Sequence, residues 1–116
     1  MKVFIYGSNC NVSYQRIEEI LKDRIGSGDE VYTIRRYGVD TEVEKYCNNN
    51  NINITVLNEK NFKNQGSFEI VTLLRIKEAD KQIFICSQIE PPSVNYWLQS
   101  TLKIIQETEK IDCCFV

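Results

Sequence analysis

Short apolar segments alternate with amphipathic segments along the chain, which is the pattern of an α/β fold. Val3-Phe4-Ile5-Tyr6 is wholly apolar and is halted by polar residues, as expected of a strand that is buried on both faces of a sheet. The segment 82–86 has the same character. Further strands are predicted at 29–34, 52–57 and 111–116. We therefore expect the strand at 3–6 to lie in the centre of a sheet.

The first two helices are predicted from capping residues and helical spacing. Ser13 is the expected N-cap of the first helix, which Gly26-Ser27-Gly28 ends. Asp40 is the expected N-cap of the second helix, which ends in the asparagine run 48–51. The buried stripe of the second helix is predicted to contain Val43, Tyr46 and Cys47.

Two more helices follow. The third is predicted over 68–79 after a long polar loop, with apolar positions at Ile70, Leu73, Leu74, Ile76 and Ala79. The fourth opens at Pro91-Pro92-Ser93. Regular alternation of strands and helices favours parallel strands joined by right-handed crossovers. The prediction is one Rossmann-like three-layer domain over 1–116, with about five mostly parallel strands and helices on both faces.

Composition narrows the possible chemistry. The chain has 116 residues, a formal charge of −2 and no histidine, which excludes His-based nucleophile pairs and His-ligated zinc. Its acidic balance argues against nucleic acid as a partner. The five cysteines contain no Cys-x-x-Cys and are expected to be buried free thiols, so we expect no metal and no cofactor. No apolar run is long enough to span a membrane or to serve as a signal peptide, which predicts a cytoplasmic protein.

Polar segments that follow the predicted strands are the candidate ligand site, because ligands of parallel sheets bind at the carboxyl ends of strands. The first segment is Gly7-Ser8-Asn9, where Gly7 either lets backbone approach a ligand or only permits a tight turn. The second runs from Arg35 to Asp40, and the third contains Ser87, Gln88 and Glu90. The prediction requires these three segments to meet at one edge of the sheet.

The second segment carries most of the candidate side chains. Arg35 or Arg36 could grip a phosphate, or could pair with surface carboxylates instead. Asp40 could bind ribose hydroxyls as well as cap the helix. Tyr37, beside Gly38, is the best candidate to stack on a base.

These residues resemble a known family. The start Lys2-Val3-Phe4-Ile5-Tyr6-Gly7-Ser8, the Gly38-Val39-Asp40 that opens a helix, and Glu78-Ala79-Asp80 before a strand look like the SLOG superfamily. That group of Rossmann-like domains includes DNA-processing and lonely-guy proteins. Its members usually carry a glycine-rich stretch, whose backbone binds a phosphate, where this chain has Ile34-Arg35-Arg36. Here the arginine side chains would bind the phosphate instead. No Pro-Gly-Gly-x-Gly-Thr loop is present, so lonely-guy phosphoribohydrolase activity is not expected.

The resemblance implies binding or sensing of a nucleotide or a nucleotide-derived small molecule at the carboxyl edge of the sheet, without catalysis. One alternative is an N-glycosidic enzyme with Glu90 as nucleophile or base. Another is a non-catalytic interaction protein with a degenerate pocket. By analogy we also expect a homodimer, with Trp97 on the last helix as one possible contact. The host, bacterium or phage, stays open.

Overall fold

The computed structural model describes residues 1–7, 11–35, 38–86 and 111–115. Its strands are β1 (Lys2–Gly7), β2 (Glu30–Ile34), β3 (Asn53–Leu57), β4 (Lys81–Cys86) and β5 (Ile111–Phe115). Its helices are α1 (Tyr14–Leu21), α2 (Gly38–Asn49) and α3 (Gln65–Glu78), and a short 3-10 turn covers Glu59–Asn61. The predicted fourth helix lies outside the described residues. The α/β class and the parallel sheet are confirmed.

The sheet has the order β3-β2-β1-β4-β5, and every strand pairing among the described residues is parallel. This is the strand order of a doubly wound sheet. As predicted, β1 is central, and Val3 to Tyr6 are fully buried because helices cover both sides of that strand.

Two apolar layers flank the sheet. One joins Val3 and Ile5 of β1 to α1 and α2, through side chains that include Ile17 and Val43. The other joins Phe4 and Tyr6 to α3, and its remaining buried members are Ile34, Leu57, Phe68, Ile76, Ala79 and Phe84. Because β1 alternates its side chains between the two faces, it contributes to both layers. No helix among the described residues has the length and apolar character to cross a membrane.

Helix α1 is shorter than predicted. Ser13 is its N-cap, and its side chain accepts a hydrogen bond from the Arg16 N–H at 3.2 Å, as expected. The helix ends at Leu21 rather than at the glycines after Ile25. The Arg24 guanidinium donates to the Ile20 carbonyl at 2.7 Å and so satisfies an acceptor that the helix end leaves open. Ile25 lies in the turn after the helix and is buried there, so it has the spacing of a helical core residue without belonging to the helix.

Only some of the predicted apolar positions of α3 face the core: Ile76 and Ala79 are buried, and the others are not. Phe68, Thr72 and Ile76 are its buried residues, whereas Ile70 is 62% and Leu74 is 52% exposed. Apolar residues occur nearly all around this helix, so their spacing did not distinguish the two sides. Thr72 can be buried because its hydroxyl donates to the Phe68 carbonyl at 2.8 Å.

Helix α2 carries its predicted buried stripe and ends at Asn49, within the asparagine run. Asn51 follows with a φ of 55°, a left-handed conformation that asparagine tolerates better than most residues. The Cys47 thiol is free and buried, which confirms the prediction for this cysteine, and the Cys114 side chain is buried as well.

Candidate functional site

The carboxyl ends of β1, β2 and β4 lie side by side at one edge of the sheet. β1 lies between β2 and β4, all three are parallel, and Gly7 at the end of β1 is in register with Ile85 of β4. α1 leaves β1 on one face, whereas α3 enters β4 from the other. The connections therefore reverse direction beside β1, which is where doubly wound sheets form a crevice.

Four of the predicted site residues are described at or beside this edge: Gly7, Arg35, Gly38 and Asp40. The other predicted site residues lie outside the described residues: Ser8, Asn9, Arg36, Tyr37, Ser87, Gln88 and Glu90. Their roles stay predictions. The strands from which their segments start are adjacent and parallel, as the prediction required.

Gly7 is a glycine because α2 packs directly against the end of β1. A Cβ atom at Gly7 would lie 2.5 Å from Val39 Cβ, closer than side chains tolerate. None of the described glycines has a positive φ, so backbone conformation does not require glycine here. Close packing of strand and helix therefore accounts for Gly7, a reason that neither interpretation of the sequence contained.

Asp40 is not an N-cap. α2 begins at Gly38, so Asp40 lies inside the first turn and is only 1% exposed. Its Oδ1 accepts a hydrogen bond from the Gly7 N–H at 3.3 Å. Since a carboxylate at a helix N-terminus interacts favourably with the helix dipole, this position suits a buried acid. The prediction that Asp40 is the N-cap is wrong, because α2 begins three residues earlier than that capping pattern indicated.

Val39 and Asp40 together attach α2 to β1. Val39 contacts the position of Gly7 from one side, and the Asp40 carboxylate binds its N–H. Two neighbouring residues of one helix turn thereby fix where β1 ends. Both contacts lie at the β1 end of the candidate crevice.

Arg35 follows β2 and is half exposed. Its Nη2 lies 2.7 Å from Glu44 Oε1 on α2, so the guanidinium is already paired with a carboxylate. The sequence leaves phosphate binding and surface pairing as alternatives for the two arginines. For Arg35 the pairing is observed, and its role toward a ligand stays a prediction.

Gly38 differs from Gly7 because no described atom lies within 4 Å of the place where its Cβ would be. It is the first residue of α2 and is exposed. Glycine in a helix costs about 0.5–1 kcal/mol relative to alanine. Packing among the described residues does not explain this glycine, so a close approach of ligand to backbone is a candidate reason for it.

Two exposed cations at the same edge were not singled out from the sequence. Lys60 and Lys63 lie in the connection that follows β3, the strand next to β2. Asn58 and Asn64 hold this connection, since their side chains accept from the N–H groups of Lys60 at 3.1 Å and Ser67 at 2.8 Å. Their position directly after a strand was the signal that could have identified the lysines.

Cys47 has a packing role rather than a reactive one. Burial raises the pKa of the Cys47 thiol to about 12, so the nucleophilic thiolate is scarce at neutral pH. Within the described part of the chain, no group of three or more Cys, Asp or Glu side chains is arranged to hold a metal ion.

Comparison of the chain with protein-family models, curated proteins and solved structures finds no match.

Proposed function

We propose that this protein is a Rossmann-like domain that binds a nucleotide or a nucleotide-derived small molecule at the carboxyl edge of its sheet. The observation that carries the proposal is the reversal of strand order beside β1 in an all-parallel sheet. In open parallel sheets, this reversal creates the crevice in which ligands bind.

The charges near this edge favour an anionic ligand. Arg35, Lys60 and Lys63 are exposed and follow the neighbouring strands β2 and β3. The Asp40 carboxylate is buried against the Gly7 peptide, so it faces the protein rather than solvent. Guanidinium and ammonium groups bind phosphate through charge-assisted hydrogen bonds. Two of the three segments through which the sequence resembles the SLOG superfamily, at the end of β1 and at the start of α2, reach this edge, whereas Glu78-Ala79-Asp80 precedes β4 at the opposite edge.

A thermal-shift screen tests the proposal. The purified protein is heated with nucleotides, cyclic nucleotides and ADP-ribose derivatives. A ligand at 100 times its dissociation constant adds about 2.7 kcal/mol to the free energy of unfolding, so a true ligand raises the melting temperature by several degrees. Absence of any stabilising ligand across this panel would favour the interaction-protein alternative.

Two variants locate the site once a ligand is found. Gly38→Ala introduces a methyl group at the exposed start of α2, and Arg36→Ala removes the second guanidinium of the β2 connection. Each is expected to weaken binding about tenfold or more. The alanine methyl blocks close approach of the ligand to the backbone, and loss of the Arg36 guanidinium removes a charge-assisted hydrogen bond that is worth about 1.5–3 kcal/mol. Arg75→Ala is the control, since Arg75 lies in the last turn of α3 and pairs with Glu78 at 3.3 Å. Equal affinities for all three variants would contradict the proposed location.

The N-glycosidic alternative is tested in the same samples. Mass spectrometry after incubation reports whether a nucleoside or nucleotide loses its base. If the alternative is correct, Glu90→Gln abolishes product formation and spares binding. If the protein only binds its ligand, neither the wild type nor the Glu90→Gln variant yields product.

A further inference from the structure

Helix α3 exposes an apolar stripe on the side opposite its buried residues. Ile70, Leu73, Leu74 and Lys77 line one groove on this helix. Ile70 and Leu74 are more than half exposed, and Leu73 is half-buried. Large apolar side chains that cluster on a surface commonly mark a protein contact.

Opposite charges lie on either side of this stripe along the helix. Glu69 lies four residues before Leu73, and Lys77 lies four residues after it. At 1.5 Å per residue, each charge is about 6 Å from Leu73 along the helix axis. The two charges are therefore equally far from Leu73 and opposite in sign.

This charge pattern complements a second copy of the same helix. When two α3 helices pack antiparallel about a two-fold axis at Leu73, Glu69 lies opposite the partner's Lys77, and the symmetry makes this contact twice. A parallel arrangement would place like charges opposite each other. The charges therefore select the antiparallel orientation, and the apolar stripe supplies the contact between the helices.

We propose that α3 forms a symmetric antiparallel homodimer contact through Ile70, Leu73 and Leu74, flanked by two Glu69–Lys77 ion pairs. One helix pair buries less surface than a standard stable interface, so the expected dissociation constant is roughly 10–500 micromolar. The proposal does not depend on the proposed ligand or on the last predicted helix.

Sedimentation equilibrium of the full chain at concentrations up to about 1 millimolar tests the contact. The wild-type protein is expected to show a reversible monomer–dimer equilibrium. Leu74→Asp should raise the dissociation constant about tenfold or more and leave the monomer folded, because this side chain is largely exposed. Lys22→Glu, an exposed charge reversal at the C-cap of α1, is the matched control and should dimerise like wild type.

Charge reversal provides the decisive measurement. Glu69→Lys and Lys77→Glu should each weaken dimerisation by about tenfold, since each converts both ion pairs into like-charge contacts. The double variant should recover the wild-type dissociation constant. A wild-type protein that stays monomeric, a double variant that is no better than the singles, or a Leu74→Asp chain that unfolds would overturn the proposal. Unfolding would mean that the stripe is covered within its own chain.

Discussion

Removal of the Asp40 carboxylate should release α2 from the end of β1. Asp40 is 1% exposed, and its Oδ1 binds the Gly7 N–H at 3.3 Å. Asp40→Ala leaves this peptide N–H without that acceptor in a buried position. Asp40→Asn keeps an oxygen acceptor of nearly the same shape and removes the charge. The two variants therefore separate the hydrogen bond from the electrostatic contribution.

The expected magnitude follows from these contacts. A hydrogen bond to a charged group contributes about 1.5–3 kcal/mol, and a carboxylate in a first helical turn adds about 0.3–1 kcal/mol. Relief from burying a charge offsets part of this sum. Asp40→Ala should therefore lower the free energy of unfolding by about 1–3 kcal/mol. Asp40→Asn should lower it by about 1 kcal/mol.

Urea denaturation monitored by circular dichroism measures both values. The transition midpoint should fall while its slope stays constant, since the surface exposed on unfolding is the same. Asp23→Ala is the control, because Asp23 is exposed and lies in the turn after α1. It should change stability by no more than about 0.5 kcal/mol. An Asp40→Ala protein as stable as this control would refute the anchoring role of Asp40.

Three further predictions concern packing and pH. Gly7→Ala should destabilise the fold by about 1–3 kcal/mol in thermal melts because its new methyl meets Val39, and an unchanged melting temperature would contradict the close contact. The raised pKa of Cys47 means that the unfolded thiol ionises above about pH 9 while the folded one stays protonated. Ionisation of this thiol in the unfolded chain should thus lower stability by about 1 kcal/mol per pH unit between 9 and 12, and Cys47→Ala should show a shallower slope over that range. Phe68→Ala should cost about 3–5 kcal/mol, because its ring is buried against Phe62 at 5.5 Å between centroids. Ile70→Ala should change the unfolding free energy of the monomer by under about 1 kcal/mol, and similar losses for both variants would show that the two sides of α3 were assigned wrongly.

The fold class was predictable because a strand that is buried on both faces of a sheet needs an uninterrupted run of apolar residues. Val3 to Tyr6 form an uninterrupted apolar run, and only a central strand with helices on each side buries every residue of such a run. Ser13 was equally predictable as a cap, since the hydrogen bond from the Arg16 N–H to its side chain is local. These features depend on neighbours a few residues apart.

The candidate site was predictable only as a location. Alternation of strands and helices implied that polar segments after β1, β2 and β4 start at one edge, and the parallel order of the strands agrees. The role of Asp40 was not predictable, because its carboxylate binds a peptide 33 residues away in sequence. The pairing of Arg35 with Glu44 likewise depends on how α2 lies beside β2.

The sequence alone determined which segments become strands and helices, because periodicity, apolar runs and caps act over short distances. Only the tertiary structure decided which side of α3 is buried, why Gly7 has no side chain, and that Asp40 faces inward. Each of these outcomes depends on which elements lie side by side. That arrangement follows from packing among residues distant in sequence, so it cannot be predicted from local patterns.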